Sequence, residues 1–345
     1  MAQQGESGQS GAATRAEGPW TVRRLIAWIS GFLGEREVDA PRHTAEILLA
    51  EVLGVERLRL YMEPERELEA AERSALRALV ARAGRHEPIQ YLVGHWPFLG
   101  RDFKVSPSTL IPRPCTEVLV EHALGWYRAR GAGKVDVLDL CTGTGCIAAS
   151  LALGMRAIAR PASLGCKPLR GGVEVGQLPV IELSAPPQAG SAQRAPADDI
   201  SVVATDIVAE AVALARENCA RLGADVECRV GDLWSAVRAD ERFDIVASNP
   251  PYVTDAEYAE LDRNVRDYEP ATALRGGRDG LDLVRRVIDG AAVHVRPGGL
   301  LLVEIGWKQG DAVRGLVAGP HWHGAELLKD GDGIDRVLAV RRTDG

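Results

Sequence analysis

Val137-Leu138-Asp139-Leu140-Cys141-Thr142-Gly143-Thr144-Gly145 reads as a buried strand, a glycine-bearing turn and the start of a helix. The apolar run fits a strand covered on both faces. Gly143 and Gly145 let the backbone turn tightly and come close to a ligand. The pattern is related to the dinucleotide motif G-x-G-x-x-G without matching it. A plain strand-to-helix turn has the same look, so the surrounding chain has to decide.

Outward from this stretch, strands are expected at 135–140, 200–206, 226–230, 243–248, 300–306 and 336–342, with helices at 144–153, 207–222, 279–295 and 308–317. Such alternation predicts an α/β fold, a mostly parallel sheet with helices on both faces. Ligands of such sheets sit at the carboxyl ends of the strands, near the switch in strand order. Asp139, Asp206, Asp232 and Asn249 all lie at or just after expected strand ends, so they can meet in one crevice. In front of this domain, residues 19–85 carry helical spacing (Val22, Leu25, Ile26, Ile29; Ala45, Leu48, Leu49, Val52, Leu53; Leu68 to Val80), punctuated by Gly34, Gly54 and Pro64. Residues 86–114 mix prolines, glycines and aromatics with β-like runs at Gln90–Val93 and Arg101–Val105, and predict a hairpin connector. Residues 1–18 have the composition of a disordered tail. The 115–345 domain is interrupted at 157–198 by a Gly-, Pro-, Ala- and Ser-rich stretch too long for a loop in a compact domain, which predicts a mobile insertion.

Composition narrows the function. Hydrophobic residues make up 46% of the 345-residue chain, enough for a sizeable core, and the net charge of −7 speaks against a general duplex-DNA binder. Six cysteines show neither C-x-x-C nor zinc spacing and read as thiols of a reducing cytoplasm. Neither a signal peptide nor a membrane span is expected. His321 and His323 form the one close histidine pair, expected in a solvated loop, and no metal site is predicted.

A nucleoside cofactor needs an acid at the end of the second strand to hold its ribose hydroxyls, about 20 residues after the glycine turn. Asp206 closes the strand Ser201-Val202-Val203-Ala204-Thr205 but comes far later; removing the proposed insertion restores the spacing. Asp232, after the third strand, is placed beside a base, with Leu233 or Trp234 as an apolar wall. No phosphate-binding G-x-x-x-x-G-K-[ST] occurs. An acidic, phosphate-free crevice suits a cationic nucleoside such as S-adenosylmethionine.

Asn249-Pro250-Pro251-Tyr252 follows the strand Phe243–Ser248. The prolines donate no N–H and hold the chain stiff and extended, which leaves carbonyls unclaimed locally. Asn249 adds a side-chain acceptor and Tyr252 a flat face. Together they suit a planar NH2 group gripped by its hydrogens and stacked on a ring, whether of adenine, cytosine or glutamine.

The segments Asp139 to Gly145 and Asn249 to Tyr252 resemble the amino-group methyltransferases that use S-adenosylmethionine. With His86-Glu87-Pro88-Ile89-Gln90-Tyr91-Leu92-Val93-Gly94, Leu110-Ile111-Pro112-Arg113-Pro114 and Glu304-Ile305-Gly306-Trp307-Lys308-Gln309-Gly310, the chain is similar to the peptide chain release factor glutamine N5-methyltransferases from about Trp20 to Arg342. That resemblance implies a helical substrate-recognition domain, a hairpin connector and a class I methyltransferase (Rossmann-like) domain. It implies methyl transfer to the side-chain amide of the glutamine in the Gly-Gly-Gln loop of class 1 release factors, tuning translation termination, by a cytoplasmic monomer with no nucleic-acid substrate. Carried over by position, Cys141, Thr142, Gly143, Thr144, Gly145, Asp206, Asp232, Leu233 and Asn249 would contact the cofactor. Asn249, Pro250, Pro251 and Tyr252 would hold the glutamine, with Asn249, Pro250 and Tyr252 catalytic. Cys141 stands where relatives often have glycine, so its side chain is expected to point away from the ligand. Leu233 stands where an aromatic is common. Methylation of a large-subunit ribosomal protein glutamine, and of DNA adenine, remain as alternatives.

Overall fold

The structure is a computed structural model that describes residues 19–159 and 199–344. The expected tail at 1–18 and the 160–198 part of the expected insertion lie outside the described residues. The chain forms two compact units, divided between Val93 and Gly94.

The first unit holds α1 (Val22–Gly34), α2 (Pro41–Leu53), α3 (Arg57–Met62), α4 (Ala70–Ala83) and α5 (Ile89–Val93). Thr21 caps α1 by accepting from the Arg24 N–H, a Glu69/Glu72 capping box opens α4, and Gly54 ends α2 in the left-handed region. Ile29, Leu33, Leu48 and Leu49 are fully buried in their shared core. The β-like run expected at Gln90–Val93 is instead helix α5. Pro88 opens this turn, where its missing N–H costs nothing, and accepts from the Tyr91 and Leu92 amides.

The second unit begins with the hairpin β1 (His95–Phe98) and β2 (Arg101–Lys104), followed by α6 (Glu117–Ala129), β3 (Val135–Leu140), α7 (Cys146–Ala159), β4 (Ile200–Asp206), α8 (Ala209–Leu222), β5 (Glu227–Val230), β6 (Phe243–Ser248), α9 (Asp255–Glu260), α10 (Arg263–Arg266), α11 (Asp282–His294), β7 (Val295–Glu304), α12 (Gly310–Leu316), β8 (Trp322–Lys329) and β9 (Asp335–Arg342). Among the described residues the main sheet has seven strands in the order β5-β4-β3-β6-β7-β9-β8. Neighbours from β5 to β7 pair parallel, and β9 runs antiparallel to both β7 and β8.

Alternation along the strands builds two cores. Val137, Val202, Ile245 and Ala247 face α6, α7 and α8 with Leu119, Ile147, Leu151 and Val212. Leu138, Leu140, Val246 and Leu301 face α11 and α12 with Val284, Val287, Ile288 and Val313. Chain order reverses between β3 and β6, which places the switch-point crevice at their carboxyl ends.

Two further expectations need correction, and one strand was not expected. Helix α7 runs to Ala159, so positions 157–159 of the expected insertion are helical. His323 lies in strand β8, not in a loop, and His321 immediately precedes it. β8 escapes sequence reading because it is a largely exposed edge strand without an apolar run. Among the described residues no helix is long and apolar enough to cross a membrane, and no cluster of His, Cys, Asp or Glu is arranged to hold a metal.

Candidate active site

The loop from β3 to α7 takes positive φ at Cys141 (60°), Gly143 (54°) and Gly145 (79°). A Cβ on Gly145 would lie 3.1 Å from the Ala215 Cα of α8, so the missing side chain allows close helix packing. A Cβ on Gly143 would meet nothing within 4 Å, because that side of the loop is open. Below the loop, Asp139 is fully buried; it accepts from the Thr142 hydroxyl at 2.6 Å and the Ala148 N–H at 3.1 Å. Burial pushes its carboxyl up to about 7.

A cavity of about 260 Å³ opens above the loop. Its wall includes Cys141, Thr142, Gly143, Thr144, Asp206, Asp232, Leu233, Asn249 and Pro251. Most of the expected cofactor residues and two of the expected substrate residues therefore share one space. Gly145 lies behind the wall, and Asp139 serves the loop from below instead of joining the crevice. The Cys141 thiol sits beside the Ser248 hydroxyl and packs with the α11-facing core.

Asp206 accepts from the Gly143 N–H at 2.9 Å through Oδ2 and from the Val208 N–H at 3.0 Å through Oδ1. Burial raises its pKa, and these amides oppose the rise. A carboxylate has about four acceptor sites, so capacity for a diol remains. Asp232 accepts from Arg286 at 2.7 Å. Leu233, at φ 47°, is buried on the cavity wall. Trp234 turns away: its indole N–H donates to the Arg286 carbonyl at 2.8 Å, and its ring stacks on His294 at 5.0 Å. The apolar wall expected from Leu233 or Trp234 thus comes from Leu233.

The Asn249 side-chain nitrogen donates to the Thr116 hydroxyl at 3.3 Å. Among the described residues neither its Oδ1 nor the Pro250 carbonyl has a hydrogen-bond donor. Pro250 and Tyr252 lie off the cavity wall. The Tyr252 hydroxyl donates to buried Glu304 at 3.2 Å, and its carbonyl accepts from Gln309 Nε2 at 3.0 Å. Burial and the Glu304 charge hold the phenol well above its usual range. Gln309 also reaches the Asp279 carbonyl, and a Cβ on Gly276 would lie 2.8 Å from the Pro251 carbonyl. The Gly276–Leu283 segment therefore braces the motif.

Sequence reasoning missed Thr116, Glu269 and the roles of Arg113 and Glu304. Ser108, Thr109, Leu110, Pro112 and Arg113 line the cavity, pinned by Arg113 and the Ile111 N–H on buried Glu269. The conspicuous Ile111-Pro112-Arg113-Pro114 run was the available signal; it read as connector.

A parallel sheet with one reversed strand slotted between β7 and β8, and a cavity over the turn after its central strand, is the class I methyltransferase architecture. Comparison with known proteins agrees. The PrmC N-terminal domain family matches residues 24–94, and the Methyltransferase small domain family matches 189–265. The release factor glutamine methyltransferase of Geobacter sulfurreducens is 37% identical over 93% of this chain and 97% of its own length; that of Koribacter versatilis is 37% identical over 89% and 93%. The release-factor-specific protein-(glutamine-N5) methyltransferase of Alicyclobacillus acidocaldarius is 26% identical, covering 70% of this chain and 99% of its own, at a TM-score of 0.35, too low to bear on the fold. The chain belongs to the release factor glutamine methyltransferase family.

Proposed function

We propose that this chain transfers a methyl group from S-adenosylmethionine to the side-chain amide nitrogen of the Gly-Gly-Gln glutamine of class 1 release factors. The observation that carries the reading is the pair of unclaimed acceptors, Asn249 Oδ1 and the Pro250 carbonyl, on the stiff strand exit beside the cavity.

The residues present fit the cofactor. Open space over Gly143 admits a ligand against the backbone, Asp206 has acceptor capacity for a ribose diol, and Leu233 with Asp232 offers an apolar wall and a polar edge for a base. When bound, the cofactor supplies an electrophilic methyl on a cationic sulfur.

The chain's task is to make a poor nucleophile react. An amide lone pair is delocalised into its carbonyl. Asn249 Oδ1 and the Pro250 carbonyl each accept one N–H, which aims the lone pair and stabilises the positive charge that develops on nitrogen. Tyr252 is tethered through its hydroxyl to Glu304, and in this reading its ring stacks on the amide of the incoming glutamine. Fixing the nitrogen in line with the methyl lowers the barrier by several kcal/mol, with ~7–11 reached in good intramolecular systems. As the N–C bond forms, the methyl's bond to sulfur would break to leave a neutral thioether, and the cationic amide nitrogen becomes acidic enough to lose one proton to water or an accepting carbonyl, without a dedicated general base.

The reading includes a cytoplasmic monomer; the five described cysteines are all free, as a reducing compartment requires. The test is transfer of a tritiated methyl to release factor, to large-subunit ribosomal protein and to DNA in parallel. Label in the release factor alone is expected; label only in either of the others overturns the proposal.

A further inference from the structure

Gln309 opens α12, yet that helix gives no reason for a glutamine. Glutamine is not among the residues favoured at a helix start, and its side chain makes no capping bond here. The buried carboxamide joins three loops instead. Its Oε1 accepts from the Gly306 N–H at 2.8 Å, and its Nε2 donates to the Tyr252 carbonyl at 3.0 Å and to the Asp279 carbonyl at 3.3 Å. All three partners are backbone groups, whose sense as donor or acceptor cannot change. The carboxamide therefore stands only one way round, with an acceptor for each of its two N–H groups.

The contact with Tyr252 is tightly enclosed. A Cβ on Gly280, itself at φ 74°, would lie 2.2 Å from the Tyr252 carbonyl oxygen and 2.4 Å from Gln309 Nε2. Pro250 and Pro251 hold their φ angles fixed, so the stretch from Asn249 to Tyr252 is stiff and its aim is set by its two ends. The upstream end is anchored in the sheet, where Ser248 pairs with Leu140 of β3 and Val303 of β7. At the downstream end the Tyr252 hydroxyl donates to Glu304 at 3.2 Å, while Gln309 holds the Tyr252 carbonyl. Glu304 and Gln309 flank the 305–308 turn after β7, so one short segment grips Tyr252 by its side chain and by its main chain.

We propose that Gln309 is a positioning residue: by clamping the Tyr252 carbonyl it sets the aim of the two upstream acceptors, Asn249 Oδ1 and the Pro250 carbonyl, and the lie of the Tyr252 ring. Gln309 lies off the cavity wall and acts through Tyr252. The catalytic part of this inference rests on the methyl-transfer reading above; the clamp on Tyr252 does not.

Two substitutions remove the N–H groups in different ways. Gln309→Glu keeps the shape and the acceptor for Gly306 but sets an oxygen against two carbonyl oxygens, and Gln309→Met fills the space without an N–H. Both should lower kcat by ~10-fold or more, towards the ~10²-fold cost of a misplacement of about 1 Å, with S-adenosylhomocysteine affinity and S-adenosylmethionine KM unchanged. Gly280→Ala, which intrudes on the same contact from another loop, should reproduce the kcat loss and add little to it in the double variant. The control is Val313→Ala, which loosens the same helix from its core and leaves the carboxamide's partners in place; it should lower thermal stability and keep kcat. The chain has six tyrosines, so ring-fluorinated tyrosine gives a fluorine NMR spectrum in which Tyr252 is assigned by Tyr252→Phe. The Tyr252 signal should shift in both Gln309 variants and stay in place in Val313→Ala. Wild-type kcat in the Gln309 variants, lost kcat with a stationary Tyr252 signal, or an equal kcat loss in Val313→Ala overturns the proposal. If the wild-type protein methylates no release factor, the functional reading fails while the Tyr252 signal still decides the clamp.

Discussion

The Gly143 N–H donates to Asp206 Oδ2 at 2.9 Å although 63 positions separate them in sequence. The long stretch between β3 and β4 therefore leaves the pairing of glycine turn and acid intact. Asp206 shapes the loop and lines the cavity at once. Asp206→Ala should weaken S-adenosylhomocysteine binding by ~1.5–3 kcal/mol, the scale of charge-assisted hydrogen bonds. Titration calorimetry checks this, and an unchanged affinity would mean that the acid serves the loop alone.

Asn249→Ala removes the side-chain acceptor beside the cavity but none of the loop that shapes it. Turnover should fall by ~10²–10³, the typical cost of losing one transition-state acceptor or donor, while cofactor affinity changes little. Steady-state kinetics with release factor as substrate separate the two, and near-wild-type kcat would remove Asn249 from the chemistry.

Gly290 on α11 faces the Trp234 indole so closely that a Cβ there would sit inside the ring. Gly290→Ala should displace Trp234 from His294 and destabilise the protein by ~1–3 kcal/mol, as overpacking does. Because Leu233 precedes Trp234 on the cavity wall, S-adenosylhomocysteine affinity should fall as well. Urea unfolding with ligand titration reads both effects; an unchanged urea midpoint would show that the helix yields instead.

Asp139 carries a testable pH signature. Burial raises its carboxyl from 3.8 to about 7, so the native state keeps a proton that the unfolded chain releases. Its favourable contribution is complete below the unfolded value and is lost as pH climbs to the native value. Asp139→Asn removes that titration and keeps an acceptor for Thr142 and Ala148. Between about pH 4.5 and about pH 7.5 the stability difference should move in favour of the variant by on the order of 3 kcal/mol. Denaturant curves at the two pH values check this, and parallel behaviour of the two proteins contradicts it.

Much of this architecture is legible in sequence where burial is two-sided. Val135–Leu140, Ile200–Asp206 and Phe243–Ser248 are short, mostly apolar strands in a covered sheet, and their ends locate Asp206 and Asn249. Edge strand β8 offers no such run, and α5 hides because five residues show no period. Helix α6 is not among the expected elements, although its buried Leu119, Val120, Ala123 and Tyr127 stand at helical spacing behind a proline-rich segment. The choice between Leu233 and Trp234 rests on α11, 52 residues from Trp234 at their hydrogen bond, and no local pattern encodes it. The same holds for Thr116 and Glu304, which meet the Asn249–Tyr252 motif from distant elements.

The most direct test of the central claim is the mass of a class 1 release factor co-expressed with this protein, mapped to the Gly-Gly-Gln peptide. The account predicts a gain of one methyl on that peptide, absent with Asn249→Ala and absent when the glutamine is replaced. An unmodified peptide beside the active wild-type protein, or a methyl that persists without the glutamine, would contradict it.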